Sequence, residues 1–439
     1  VQHGPPAGRR IRRLLHAGDA AGRLLHAEAG TGAGRILLRA QMSEAAPAGS
    51  RRVVIALGTA QTLAWASSYY LPAILAAPMA AEFGISTSWV FGAFSAALIL
   101  LAVTGPAVGR AIDRHGGRGV LTLSNLVLAA GLVGLGLSQG PWSMAAAWMV
   151  LGLGMAMGLY DAAFATLAGL YGRAARGPIT GITLIAGFAS TVGWPLSALL
   201  LEAVGWRGAC LAWAALHVLV GLPLNRLLVP PAPPPERQAA MAAEAGPPPS
   251  RLAMPLLAFV FAATWFIAGA MAAHLPALLQ AAGATAAAAV AAGALIGPAQ
   301  VAARVAEFGL LRRFHPLVSA RIAVLGHPLG AVALLVFGGP AAVAFAVLHG
   351  MGNGVMTIAK GTLPLAVFGP GGYGARQGLL GAPARLLQAA APLAFGLLLE
   401  GAGVQAALTL TTGLCLSACL ALLVLRAVPA EAAPRQVGR

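Results

Sequence analysis

A chain of 439 residues, 59% hydrophobic and 9% charged, with a mean hydropathy of +0.81, is no ordinary soluble globule, in which about 25% of residues are charged. The formal charge of +16 would suit a nucleic-acid binder, but the arginines lie in loops between apolar runs, the pattern of one face of a membrane. There is no phosphate-binding loop, metal-ligand cluster or nucleophile constellation, so neither an enzyme nor a nucleotide-driven pump is expected, and no cofactor or metal.

Residues 1–50 are rich in Arg, Gly, Ala and His, begin with Val1 and hold no methionine before Met42. They have no apolar h-region, so they read as a basic, disordered leader rather than a secretory signal, with the working protein starting near Met42. A basic arm on anionic lipid is the alternative. Apolar runs of roughly bilayer length then occupy 53–76, 88–109, 119–138, 143–170, 178–201 and 208–228. A proline-rich stretch at 230–250, through which no helix continues, separates these from 252–280, 286–309, 318–337, 341–366, 378–399 and 404–426. The expected fold is an all-α membrane protein with twelve transmembrane helices in two six-helix pseudo-symmetric bundles. These cover 51–229 and 251–428, joined by the linker 230–250 and followed by a tail at 429–439.

Arg51, Arg52, Arg110, Arg114, Arg118, Arg173, Arg176, Arg226, Arg251, Arg312, Arg313, Arg321, Arg376 and Arg426 fall in alternate loops. The opposite loops offer Arg207 beside Glu82, Glu202 and Glu400. By the positive-inside rule both termini and the linker face the cytoplasm, and the chain is placed in the cell's inner (plasma) membrane as a monomer. Cys210, Cys415 and Cys419 lie in apolar runs and read as packing.

The two halves echo each other about 200 residues apart, the self-similarity of a repeated architecture. Leu71-Pro-Ala recurs at Leu275-Pro-Ala, Gly105-Pro-Ala at Gly297-Pro-Ala, and Gly154-Met at Gly350-Met. The loop after the second run holds Gly109, Asp113, Arg114, Gly116 and Arg118, spaced as Gly, three residues, Asp-Arg, one residue, Gly, one residue, Arg. On this motif the chain, from about 50 to 428, resembles the major facilitator superfamily. The resemblance implies alternating access, two bundles rocking about a mid-bilayer site. It also implies that the acidic residue of this loop joins a charge relay and a helix-end contact that hold one side shut. The second-half copy has lost the pattern, keeping Arg304, Glu307, Arg312 and Arg313. The run from Tyr171 through Arg176 to Gly181, with Trp89 to Ser95, is similar to monocarboxylate-porter-like members and leans toward organic acids.

An ionisable group inside a span is costly and marks function by default. Asp161 reads either as a proton carrier or as a structural hydrogen-bond partner. Lys360, the single lysine of the chain, reads as a snorkelling side chain or as a partner for Asp161 or for an anionic substrate. Arg385 invites the same two readings, with Gln388 nearby. Arg304 and Glu307 are spaced for an intrahelical pair. Gln61, Trp65 and Tyr69 share one helical face. Tyr70 and His274 hold matching places before the Leu-Pro-Ala repeats, and His274 reads as a proton or substrate group or as packing. Asn353, between Gly352 and Gly354, permits close helix approach. Trp89, Trp142 and Trp206 read as interface anchors.

The expected activity is secondary transport of a small solute, favouring a small organic anion with a proton as co-substrate. The expected partners are that solute, the proton and the lipid bilayer, and no nucleic acid. Proton-coupled efflux of amphipathic drugs and a non-transporting sensor on the same fold are the alternatives.

Overall fold

The computed structural model describes residues 50–233 and 250–425. The expected leader, most of the linker and the tail lie outside the described residues. Every regular element among those residues is helical.

The described residues start with α1 (Ser50–Ala64), which widens into a π-helical turn at Trp65–Tyr69 and resumes as α2 (Pro72–Phe83). The first apolar run is therefore two helices around a π turn. Pro72, without an N–H to give, stands in the first turn of α2, where none is needed. Next comes α3 (Thr87–His115), whose Ser86 cap accepts from the Trp89 amide at 3.3 Å. Then follow α4 (Gly117–Gly136), α5 (Pro141–Gly158) and α6 (Tyr160–Tyr171). An extended Leu159 (φ −84°, ψ −173°) parts α5 from α6 and puts Asp161 in the first turn of a new helix, where the helix dipole favours a carboxylate. Beyond these lie α7 (Arg176–Ala186) and α8 (Ala189–Leu216), which runs on into π turns at His217–Gly221 and Leu224–Leu228. After the linker come α9 (Ala253–Ala281), α10 (Ala286–Ala294), α11 (Ile296–Gly309), α12 (Pro316–Phe337), α13 (Ala342–Phe368) and α14 (Tyr373–Val424).

Eight helical stretches among the described residues are long and apolar enough to cross a membrane. Two of them, Pro141–Leu228 with 88 residues and Tyr373–Val424 with 52, far exceed the ~20 residues of one crossing. Within them α8 breaks at Gly205 (φ 71°, ψ 171°) and α14 at Gly403 (φ 79°, ψ 178°), a backbone region open in practice to glycine alone.

The apolar core is divided. One cluster draws on α9 to α14, with Phe261, Phe345 and Phe395, and another on the first half, with Leu75, Trp148 and Trp213. A third joins Phe164 and Ile179 to Leu365 and Tyr373, linking the halves. The outside is also apolar, with Val103, Phe337 and Leu393 each about two-thirds or more exposed. Such a surface is costly in water and suited to lipid. At one end Glu82 accepts from Arg207 Nε (3.0 Å), Arg207 NH2 (2.8 Å) and Trp206 Nε1 (2.5 Å). The Arg207 bonds first, then that of Trp206, hold its carboxyl below the usual glutamate range. Trp206, buried and locked in this pair, is thus no interface anchor. Trp142 is 81% exposed, its ring 5.8 Å from that of Trp89.

Candidate functional site

Three helices converge on Asp161. From α13, Lys360 Nζ lies 2.8 Å from Asp161 Oδ1 and 3.1 Å from Oδ2. From α14, Gln377 Nε2 donates to Oδ1 at 3.2 Å, and Arg385 NH2 stands 3.6 Å from Oδ2. Gln377, Gly381 and Arg385 recur every four residues and so share one face of α14. At Gly381 that face passes so close that an added methyl would stand 3.2 Å from Asp161 Oδ2. Lys360 is 2% exposed, which rules out snorkelling.

Two cations face one carboxylate, leaving one positive charge among the described side chains of the cluster. An uncompensated buried charge costs several kcal/mol. The Arg385 guanidinium also keeps unused donors, because its Nε and NH1 are buried without a hydrogen-bond partner. Each belongs, together with NH2, to one of the two forks to which a carboxylate bonds bidentately. Aromatic faces cover both cations: Lys360 Nζ is 5.1 Å from the Trp265 ring centre, and Arg385 Cζ 5.9 Å from that of Trp65. A cavity of about 20 Å³, lined by Asp161, Arg385, Gly105, Gly109, Gly374 and Gly378 among others, has room for about one water.

An aromatic wall adjoins the cluster. The Trp65 ring meets Tyr69 at 5.1 Å, Tyr70 at 6.1 Å and Tyr160 at 5.0 Å. Tyr69 Oη accepts from Gln388 Nε2 at 3.0 Å, and Gln388 Oε1 and Trp65 Nε1 are buried without partners. Gln61 stands apart: it is 1% exposed and donates to Gly158 O at 2.5 Å, holding the break before Asp161. Its face is not continuous with that of Tyr69, because the π turn intervenes. His274 is half-buried, its Nε2 2.7 Å from Pro392 O, two helical turns along α14 from Arg385. Asn353 is half-buried, and its neighbours Gly352 and Gly354 press on the backbone of Ala323 and Gln300, a close helix approach.

The Asp113 motif lies at one end of the molecule. Asp113 Oδ1 accepts from the Gly374 amide and Oδ2 from the Ala375 amide, both at 2.8 Å. These are first-turn donors of α14, which no helix satisfies internally. Gly109 packs directly on Gly374, with no room for a Cβ on either. Gly116 (φ 80°) ends α3. Arg114 is exposed and Arg118 half-buried, and neither side chain has a hydrogen bond or ion pair among the described residues.

Arg304 and Glu307 do not form the expected intrahelical pair. Glu307, 2% exposed, bonds Arg176 NH2 at 3.2 Å. Arg176 also donates to Phe314 O (2.6 Å) and Leu311 O (3.4 Å), carbonyls beyond the end of α11 that welcome a cation. Arg304 instead donates to Gly354 O at 3.4 Å and to Thr183 O at 3.5 Å.

Gln377 and Trp265 join the Asp161 cluster without having been singled out for it from sequence. The signal for Gln377 was the polar stripe Gln377, Arg385 and Gln388 at helical spacing in an apolar run.

The family model described as Major Facilitator Superfamily matches residues 57–344. Comparison with curated proteins gives no match. Among solved structures, the human organic anion transporter MFSD10 (TETRAN) aligns with a TM-score of 0.63 at 18% identity, over 85% of this chain and 99% of that one. The transporter FucP in the outward conformation aligns with a TM-score of 0.67 at 12% identity, over 87% and 100%. The proton:xylose symporter XylE bound to 6-bromo-6-deoxy-D-glucose aligns with a TM-score of 0.63 at 15% identity, over 85% and 95%. At such identities the structural likeness speaks for the fold, while the family match spans well over half of the chain. A multi-pass helical membrane protein with this match is a transporter rather than an enzyme, and it belongs to the Major Facilitator Superfamily.

Proposed function

We propose that this transporter moves a small organic anion by proton-linked alternating access. The observation that carries the reading is the buried Asp161–Lys360–Arg385 cluster, with its surplus positive charge and the unpartnered Nε and NH1 donors of Arg385. The anion's carboxylate bonds that guanidinium through one of its forks, with Lys360 as the second cation and Trp65, Tyr69 and Tyr70 as the apolar wall. Asp161 is an internal anion competing for the same two cations. A proton on Asp161 removes the competitor, so proton and substrate load together.

The frame for this is twelve transmembrane helices in two six-helix bundles, over 51–229 and 251–428, with both termini and the linker cytoplasmic in the inner (plasma) membrane, as a monomer. The helical stretches of 88 and 52 residues, broken at Gly205 and Gly403, and the one-sided arginines support it. Asp113 on α14 and Arg176 on α11 then act as two latches that hold the cytoplasmic side shut.

Solute counterflow in proteoliposomes tests the reading, with radiolabelled lactate and benzoate against fucose, xylose and tetraphenylphosphonium. Carboxylate counterflow is expected. Asp161→Asn should keep exchange and lose accumulation driven by a pH gradient. Counterflow of a sugar or the organic cation with none of either carboxylate would overturn it.

A further inference from the structure

A second buried polar network lies in the first half of the chain, away from Asp161. Ser67, His217 and Asn125 are 0%, 0% and 3% exposed. His217 Nε2 is 2.7 Å from Ser67 Oγ, and its Nδ1 is 2.9 Å from Asn125 Oδ1. Asn125 Nδ2 donates to Leu121 O at 2.8 Å, which turns the amide oxygen toward the ring. Nδ1 therefore carries a proton and donates to it, and Nε2 is left to bond Ser67.

Both ends of the Ser67–His217 bond sit in π turns. Ser67 lies within Trp65–Tyr69, closed by the Tyr70 amide donating to Trp65 O at 3.0 Å. His217 opens His217–Gly221, closed by the Leu222 amide donating to His217 O. A π turn carries one residue more than an α turn needs and is frequent at functional sites. Here a hydroxyl covers a carbonyl it loosens: Ser68 Oγ donates to Ala64 O at 2.5 Å, while the Ser67 hydroxyl proton goes to His217 Nε2. If the turn relaxed to α, everything beyond it would rotate by about 100° against everything before it. Trp65 would stay over Arg385 while Tyr69 left Gln388.

We propose that His217 is a positioning residue of the transport site: through Ser67 it holds the π turn that sets Trp65 and Tyr69 against Arg385 and Gln388. Its consequence for transport rests on the anion-carrier reading, but the measurement needs no substrate, so the two can fail separately. In the full-length chain with Cys210, Cys415 and Cys419 replaced by alanine, Tyr69→Cys and Gln388→Cys are bridged by a short bifunctional thiosulfonate reagent. Bridging yield and melting temperature are read together. One buried hydrogen bond, at about 1.4 kcal/mol, corresponds to roughly tenfold in the ratio of π to relaxed turn, so Ser67→Ala and His217→Leu should each lower the ratio of bridged to unbridged chain about tenfold. Together they should lower it no further, as expected of two ends of one contact. His217→Gln, which still reaches Ser67, should restore most of it. An unchanged yield in folded Ser67→Ala, or additive losses in the double variant, overturns the proposal. If His217→Leu does not fold, Ser67→Ala decides alone.

Discussion

Replacing Asp113 by alanine removes two charge-assisted hydrogen bonds of 2.8 Å, from the amides of Gly374 and Ala375. Losing a helix-capping acceptor costs about 0.5–2 kcal/mol, and losing a negative charge at a helix N-terminus about 0.3–1 kcal/mol more. With Asp113 half-buried, a total of ~2 kcal/mol is reasonable for these capping and dipole terms. The bonds join α3 to α14, and on the latch proposed above they exist only while that end of the molecule is shut, so the whole loss would fall on the closed state. At 1.4 kcal/mol per tenfold, the closed-to-open ratio drops roughly 30-fold. Ala156 lines the small cavity behind the contact and reports on it when changed to cysteine in a chain freed of its native cysteines. N-ethylmaleimide should label it roughly 30-fold faster in Asp113→Ala, for as long as the closed state dominates. Asp113→Asn, which keeps one carbonyl acceptor, should show a smaller rise. An unchanged rate in a folded Asp113→Ala chain would refute the latch.

Gly109→Ala should act in the same direction as Asp113→Ala, since the new Cβ meets the Gly374 backbone, which cannot step aside; the same labelling assay reads it, and no change would remove the glycine contact from the closed state. Asp161→Asn strands two buried cations, a break costing about 3–5 kcal/mol, whereas Lys360→Met leaves the Asp161–Arg385 pair in place. Thermal melting in detergent should therefore fall further for Asp161→Asn. The reverse order would mean that Asp161 does not hold both cations.

The helical frame was legible because a bilayer fixes the length of an apolar run, and the bounds of α9 and α12 follow from that alone, whereas α3 continues past its apolar run through the charged motif to His115. The breaks at Gly205 and Gly403 were not, since with 57 glycines no single one stands out. The π turn left no mark either: Trp-Ala-Ser-Ser-Tyr carries no residue that forbids an α-helix, and the bonds that hold it come from His217 and two serine hydroxyls. Asp161 and Lys360 announced themselves as lone charges in apolar runs, but their pairing across 199 positions is a product of packing. Arg304 and Glu307 illustrate the opposite error. Their i, i+3 spacing permits a pair, yet Arg176 reaches Glu307 with neighbouring carbonyls to share its charge, and Arg304 finds Thr183 and Gly354 instead.

The surplus charge beside Asp161 also has an electrical meaning. Carrying one elementary charge through a membrane potential is worth about 2.3 kcal/mol per 100 mV. With a proton on Asp161 and a monoanion on the two cations, the loaded site carries the same single positive charge as the empty one. An applied voltage therefore acts equally on the loaded and the empty steps, which run in opposite directions, and the complete cycle of proton and monoanion is electrically silent.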